Sequence, residues 1–211
     1  MVMKILTILS ATFFALCSYA QKAPEAKKLL DATASKLQKM KSIEASFTLT
    51  SFKGTTEQGS TQGTILLSGK RYQITTPEAI TWFDGKTQWS YIPDNEEVNL
   101  STPTKAEQAA MNPYAFITLY KKGFNYTTTP TTYNGNNAME VRLTSESSSS
   151  DIQEALIVIT PDHVPVSVRI RQGSSQWTRI RIASLRQKKT SDSDFVFHAE
   201  QYPHAEIIDL R

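Results

Sequence analysis

Histidine side chains are the first place to look for chemistry in this sequence, and their spacing predicts no metal site. His163, His198 and His204 fit no spacing typical of metal ligands, so we expect them at the surface. The sequence also lacks the Gly-x-Ser-x-Gly turn of serine hydrolases, the phosphate-binding loop and the dinucleotide-binding fingerprint. These observations favour a binding protein over the common catalytic classes.

Carboxylates and the single cysteine add no catalytic pattern. Asp84, Glu96 and Glu97 are explained as turn or strand-edge residues, and nothing indicates the paired carboxylates of a glycoside hydrolase. Cys17 lies in an N-terminal segment that we expect to be removed, which leaves no thiol nucleophile. We therefore predict that the protein is not an enzyme and needs neither a metal nor another cofactor.

Five arginines form the most regular charged pattern, because isoleucines alternate with several of them. They are Arg169, Arg171, Arg179, Arg181 and Arg186. We interpret this alternation as one solvated face of a sheet, and an anion-binding surface is the alternative. The formal net charge of +3 is too small and too evenly spread to indicate nucleic-acid binding.

The N-terminus has the features of a secretory signal peptide. Lys4 precedes an apolar run over residues 5–17, which is too short for a comfortable membrane span. Small residues at the −3 and −1 positions then predict cleavage after Ala20. We expect residues 1–20 to be removed and residues 21–211 to form one exported, periplasmic domain.

A lipidated N-terminus is the competing interpretation. It would use Cys17, but a bacterial lipoprotein signal requires a small residue before the cysteine, and Leu16 is not small. We therefore prefer a domain that is not anchored to a membrane.

The elements that position any binding site centre on residues 82–92. Asp84-Gly85 lies between aromatic residues and predicts a two-residue hairpin, because glycine adopts positive φ at little cost. Beyond the turn, Trp89 and Tyr91 alternate with polar residues, which is typical of a strand with two unlike faces. An aromatic face of this kind needs a covering layer.

Two helices and a series of strands surround this hairpin. We predict an amphipathic helix over residues 24–41 and a second helix between Asn112 and Gly123. Gly54 to Gly63 contains three glycines and is interpreted as a turn with a weak strand edge. Strands are predicted at residues 43–50, 64–67, 71–75, 97–100, 124–129, 138–145, 154–160, 164–171 and 176–185, with a further short strand in the tail. This pattern favours a mainly β protein with a few helices (α+β), built on one strongly curved antiparallel sheet.

Several motifs follow one another in a familiar order along the mature chain. They are residues 44–48 after the first helix, Gly63 at a strand start, Pro77, the string 84–93, Asn112-Pro113, residues 195–197, and Pro203 before residues 207–209. Together they resemble the periplasmic outer-membrane lipoprotein carrier family, the LolA type. The string Asp-Gly-Lys-Thr-Gln-Trp-Ser-Tyr-Ile-Pro is the most specific of them.

The resemblance implies a fold and a site. The fold is an unclosed antiparallel β-barrel with helices as a lid, around an apolar cavity for lipoprotein acyl chains. Arg71 is the nearest candidate for the arginine that holds the lid in the family, although the proline that accompanies that arginine is missing here. The implied lid residues are Leu37, Tyr114, Phe116 and Ile117, and the implied wall residues are Ile43, Phe47, Leu49, Tyr72, Ile74, Trp89 and Tyr91.

The function implied by the resemblance is that of a periplasmic chaperone that carries lipoproteins from the inner to the outer membrane. Its expected partners are acylated lipoproteins, an inner-membrane lipoprotein-releasing transporter and an outer-membrane acceptor, and the protein itself is expected to be a monomer. Two alternatives share the scaffold, namely a periplasmic lipid- or lipoprotein-sensing regulator and a membrane-anchored acceptor. An exported hydrolase with an unrecognised site is the alternative from another class.

Overall fold

The computed structural model describes residues 24–104 and 119–211. This part of the chain contains one α-helix, three short 3₁₀ turns and twelve strands of a single sheet. The helix α1 spans Pro24–Lys39, and the 3₁₀ turns span Leu119–Lys121, Asp192–Phe195 and Ala199–Gln201. The strands are β1 (Ser42–Lys53), β2 (Thr56–Ser68), β3 (Arg71–Thr75), β4 (Ile80–Phe83), β5 (Gln88–Ile92), β6 (Glu97–Ser101), β7 (Phe124–Tyr133), β8 (Asn136–Ser145), β9 (Ile152–Ile159), β10 (Pro165–Gln172), β11 (Gln176–Gln187) and β12 (Glu206–Asp209).

The sheet consists of two meanders that meet along one pair of strands. Its order is β12-β6-β5-β4-β3-β2-β1-β11-β10-β9-β8-β7, so β1 pairs with both β2 and β11. The two ends of this order do not pair with each other, and the sheet is open. The predicted fold class, a mainly β protein on one unclosed, curved sheet, is therefore confirmed.

The last strand differs from the antiparallel expectation. β12 runs parallel to β6, with Ile207 opposite Val98. The chain leaves β11 near the middle of the sheet and reaches the β6 edge through the segment 188–205, part of which contacts β3 and β4. A strand that arrives by such a crossover is not restricted to the antiparallel direction that a tight hairpin imposes.

The Asp84-Gly85 hairpin forms, with a longer loop than predicted. Phe83 pairs with Gln88, which leaves residues 84–87 in the loop. The Asp84 carboxylate accepts hydrogen bonds from the backbone N–H groups of Lys86 and Thr87, both at 2.7 Å. Gly85 has a φ of 104°, so the position suits glycine.

Gly63 lies inside β2 and not at the start of a strand, because β2 already begins at Thr56. It is paired with Phe47 on β1. A Cβ atom at this position would lie 2.6 Å from the Thr75 carbonyl oxygen and 2.7 Å from Cζ of Phe47. The predicted turn lies at Gly54, and the segment predicted as a weak strand edge belongs to the long strand β2. Gly63 is required by a close approach between neighbouring groups.

The helix α1 crosses the inner face of the sheet and joins two apolar clusters. Ala26 and Leu30, in its first half, pack with side chains of β7 to β10. Ala34 and Leu37, in its second half, pack with side chains of β1 to β4. The predicted helix over residues 24–41 is thus confirmed with a slightly earlier end. The second predicted helix lies mostly in residues 105–118, outside the described residues.

Polar contacts fix α1 at two points. The Tyr120 hydroxyl donates to Asp31 Oδ1 at 2.5 Å, and Lys27 Nζ donates to Asp31 Oδ2 at 2.6 Å. Hydrogen bonds from Lys27 and Tyr120 lower the pKa of Asp31, while burial and the same carboxylate raise the pKa of Tyr120. One turn further on, Lys36 Nζ donates to the Asp162 carbonyl at 2.6 Å. The middle and the C-terminal part of α1 are therefore held to the β7–β10 half of the molecule.

Replacing Gly63 by alanine should destabilise the fold. The new methyl group must displace the Thr75 carbonyl or the Phe47 ring, and overpacking of this kind costs about 1–3 kcal/mol. Urea denaturation measures the change. Gly59→Ala is the matched control on the same strand, because a Cβ atom there meets no atom within 4 Å. Equal unfolding midpoints for the two variants would contradict the prediction.

Replacing Tyr120 by phenylalanine should reduce stability by about 1 kcal/mol at neutral pH, because one hydrogen bond to the ionised Asp31 is lost. The pKa of Asp31 is lowered on folding, so its contribution is complete above the pKa of the unfolded chain. That contribution is lost as the pH falls through the folded value.

The difference between wild type and Tyr120→Phe should therefore shrink in acid, as followed by thermal melts at a series of pH values. Tyr126→Phe is the control, because Tyr126 is also buried but its hydroxyl makes no hydrogen bond in the described part of the chain. A stability difference that persists unchanged at acidic pH would mean that the hydroxyl does not act through Asp31.

Candidate functional site

An apolar cavity of about 420 Å³ lies between α1 and the inner face of the sheet. It spans both meanders, and its volume is within the range of small-molecule sites. Four of the lining residues are polar and uncharged, none is charged, and the others are apolar. The lining consists of Leu37, Ile43, Ala45, Phe47, Leu49, Thr61, Ile65, Leu67, Ile74, Thr76, Ile152, Pro165, Val168, Ile170, Gln172, Thr178, Ile180, Ile182 and Leu185.

Strand alternation explains why the inner face is apolar. On β1, Phe47 and Leu49 are two residues apart and therefore share the inner face. Across the pair with β11, Phe47 lies opposite Ile182 and Leu49 lies opposite Ile180. The same residue period that makes each strand amphipathic thus aligns one apolar row against the next.

A β-bulge keeps this alignment intact further along β11. Ser46 pairs with Ser184, but Phe47 already pairs with Ile182, so Ala183 is an extra residue. The insertion shifts the alternation by one position, and both Ile182 and Leu185 face the cavity despite their odd spacing. Without the bulge, one of these two side chains would point to solvent.

The two ends of the cavity differ in polarity and exposure. At one end Leu37, Ile43 and Leu67 are at most 4% exposed. The polar lining residues are grouped toward the other end of β1, where Thr61 pairs with Leu49 and Thr178 pairs with Ser51. Both threonines are half-buried, so this end is in contact with solvent. The cavity is a pocket with a closed apolar end and a hydroxyl-lined mouth.

Five of the residues predicted to form the acyl-chain site lie together in this lining. They are Leu37, Ile43, Phe47, Leu49 and Ile74. Tyr72 shares their face of the sheet but lies beside the cavity, in the core. It is 1% exposed, its ring centroid is 5.1 Å from that of Phe83, and its hydroxyl donates to Gln88 Oε1 at 2.7 Å.

Trp89 and Tyr91 lie on the outer face of the sheet, in contrast to the prediction that they line the wall. Trp89 is paired with Trp82 on β4. The ring centroid of Trp82 lies 5.7 Å from that of Phe197 in the C-terminal segment. The Tyr91 ring is 4.5 Å from that of Tyr202 in the same segment. The aromatic face does have a covering layer, and this layer is the C-terminal segment.

Arg71 also points outward, because its neighbour Tyr72 points inward. Its guanidinium is hydrogen-bonded to Asp192 and lies 4.8 Å from the ring centroid of Phe195, which is fully buried. These contacts hold the C-terminal segment against β3. The predicted role of Arg71 was to hold the lid. The contacts that the structure gives this side chain are instead with the C-terminal segment and not with α1.

The remaining predicted lid residues, Tyr114, Phe116 and Ile117, lie outside the described residues. Sequence reasoning missed the β10 and β11 side of the wall, including Val168, Ile170, Ile180 and Ile182. The signal was present in the isoleucines that alternate with arginines, since a strand with one solvated face must bury the other.

The described residues place no chemical centre in the cavity. The imidazole of His198 lies 2.9 Å from the Ser193 carbonyl, away from the lining, and His163 has a φ of 59° in a turn. Within residues 24–104 and 119–211, no three His, Cys, Asp or Glu side chains are close enough to hold a metal ion. No helix in the same ranges is long and apolar enough to cross a membrane.

Comparison with solved structures supports the fold. The chain is similar to an uncharacterized conserved protein from Thermus thermophilus, with a TM-score of 0.58 and 8% identity over 88% of this chain and 99% of the other. It is also similar to the lipoprotein LppX of Mycobacterium tuberculosis, with a TM-score of 0.51 and 10% identity over 80% of this chain and 98% of the other. At such identities the likeness shows the fold alone.

Comparison of sequences identifies the family. No curated protein sequence matches this chain. A family model described as outer membrane lipoprotein carrier protein LolA matches residues 16–174 of the 211. Because this match covers well over half of the sequence, and because the chain folds as an open sheet around an apolar cavity, the protein belongs to the LolA family of outer membrane lipoprotein carrier proteins.

Proposed function

We propose that the protein is a periplasmic carrier that shelters the acyl chains of lipoproteins in its cavity and moves them from the inner to the outer membrane. The observation that carries the proposal is the uncharged cavity between α1 and the sheet. Family membership supports the same role. The carrier is residues 21–211 after removal of residues 1–20, and it acts as a monomer.

The cavity recognises its cargo by apolar surface. Its lining offers few hydrogen-bonding groups and no charge, so nothing in it selects one lipoprotein sequence over another. The polypeptide part of the cargo stays outside the mouth near Thr61 and Thr178. Such a carrier accepts many lipoproteins that share the same acyl anchor.

Release requires that binding is not too strong. Burying an acyl chain gains about 0.8 kcal/mol per methylene, so a fully enclosed long chain would be retained. A pocket of about 420 Å³ with one end in contact with solvent encloses only part of such a cargo. Because α1 is held by Asp31 and Lys36, we infer that it is a fixed roof and that cargo enters and leaves through the mouth.

The partners follow from the proposed task. An inner-membrane transporter must deliver the acylated lipoprotein to the mouth, and an outer-membrane acceptor must remove it. A sensor on the same scaffold would bind lipid but would not have to release it to another protein.

Substitution of Leu49 by asparagine should weaken the binding of a fluorescent fatty acid by about tenfold or more, because a polar amide replaces part of the apolar wall. Leu49 is only half-buried, so its loss should destabilise the protein by less than the ~2–5 kcal/mol typical of a packed core leucine. Fluorescence titration and thermal melts measure the two effects.

Thr48→Asn is the matched control, since Thr48 is the neighbouring residue on the outer face of β1. It should leave fatty-acid binding unchanged. Equal binding losses in both variants, or no binding by the wild type, would contradict the assignment of the cavity.

Co-purification tests the nature of the cargo. Wild-type protein isolated from the periplasm of its host should contain acylated lipoprotein, detected by intact-mass analysis, and the Leu49→Asn variant should contain less. On incubation with outer-membrane vesicles, the bound lipoprotein should transfer to them. Recovery of free fatty acid or phospholipid alone would refute a lipoprotein carrier, and cargo that never transfers would favour a sensor.

A further inference from the structure

The outer face of β10 and β11 carries a cluster of arginines on the side of the sheet opposite to the cavity. Arg169 on β10 lies directly opposite Arg179 on β11, and Arg181 lies opposite Ser167. The intervening residues Ile170 and Ile180 line the cavity, so the arginines must point away from it. We call the cluster of Arg169, Arg171, Arg179 and Arg181, with Trp177 and Phe52, the arginine patch.

Aromatic rings hold three of the four guanidinium groups of this patch. Arg169 Cζ lies 4.9 Å and Arg171 Cζ 5.8 Å from the Trp177 ring centroid. Arg179 Cζ lies 4.8 Å from the ring centroid of Phe52, which is on β1. A guanidinium stacked on a ring is pre-organised, and its N–H edge remains free for a carboxylate or phosphate. Arg169, Arg171 and Arg179 are therefore pre-organised donors, and Arg181 lies beside them on β11.

The positive charge of the patch is only partly compensated. Arg171 Nε donates to Glu154 at 3.2 Å, but that carboxylate is shared with Arg142. In the part of the chain that the structure describes, Arg169, Arg179 and Arg181 form no ion pair, and the buried Nε of Arg179 has no hydrogen-bond acceptor. Burial lowers the pKa of Arg179, and the nearby charges of Arg181 and Arg169 lower it further, while Glu57 partly opposes them.

Arg186 shows what a compensated arginine on the same strand looks like. Its Nε donates to Glu44 Oε2 at 2.7 Å, on the neighbouring strand β1. The sequence interpretation of a solvated sheet face therefore fits Arg186. Like charges on adjacent strands repel each other, and Arg169 lies directly opposite Arg179. Within the described residues, Arg169, Arg179 and Arg181 have no carboxylate as an ion-pair partner.

We propose that the arginine patch is a docking surface for an acidic, extended segment of another protein. Carboxylates at alternate positions of an extended chain repeat every two residues, which is the spacing of Arg179 and Arg181 along β11. Stacked arginines can bind such carboxylates in a bidentate manner. Arginine and tryptophan are also enriched among the residues that contribute most of the binding energy at protein interfaces.

A protein partner fits the patch better than an anionic membrane does. Surface-binding membrane proteins combine basic residues with exposed apolar side chains that insert among the lipids. In the described residues, the exposed large apolar side chains are Ile207 and Leu210, at and just after β12, and β12 is seven strands away from β11.

The test uses residues 21–211 and a fluorescein-labelled ten-residue peptide of alternating Glu and Thr. Fluorescence anisotropy at low salt should show binding that weakens as salt is added. The double variant Arg169→Gln/Arg181→Gln should bind the peptide at least about tenfold more weakly. Its melting temperature should be unchanged or higher, because repulsion is removed, and its fatty-acid binding should remain.

Arg186→Gln/Lys188→Gln is the matched control, since it also removes two positive charges, both of which are paired with Glu44 outside the patch, and it should leave peptide binding unchanged. Three results would overturn the proposal: no peptide binding at low salt, equal losses in the control and the double variant, or patch-dependent binding to 3:1 phosphatidylcholine–phosphatidylglycerol vesicles without peptide binding. The last result would assign the patch to a membrane surface.

Discussion

A sheet of twelve strands has a larger inner face than the helix α1 can cover by itself, and this mismatch shapes the molecule. Strands lie about 4.8 Å apart, so twelve of them span on the order of 50 Å, whereas a helix of 16 residues is about 24 Å long. The first half of α1 packs on one meander and the second half on the other. Apolar side chains of β1, β10 and β11 at the edges of these two clusters border a gap between them, and that gap is the cavity.

Local devices keep the gap open and correctly lined. Gly63 leaves room for the Phe47 ring, and the bulge at Ala183 keeps Leu185 on the same face as Ile182. Neither device adds much burial. Both determine where apolar side chains lie. A cavity requires this control, because its lining side chains must surround the space without filling it. The two clusters that flank the cavity supply apolar burial instead.

The alternation of residue types predicted most strands and the helix α1, because backbone period and apolar period coincide in these elements. It could not tell which face of a strand is inner. Trp89 and Tyr91 were assigned to the cavity wall through the family resemblance, although they lie on the outer face, where the C-terminal segment packs. Arg71 was predicted from family resemblance alone, and its partners Asp192 and Phe195 are far away in sequence. Contacts of this kind depend on the crossing tail, which no local pattern specifies.

The pairing of β1 with β11 is the single seam between the two meanders, and it joins residues as distant in sequence as Ile43 and Gln187. Each meander is built from segments that are close in sequence, whereas the seam requires closure of a long loop of chain. The cavity straddles this seam, with Phe47 and Leu49 on one side and Ile180 and Ile182 on the other. Neither meander contains both walls of the pocket, so the pocket exists only in a chain in which this seam has formed.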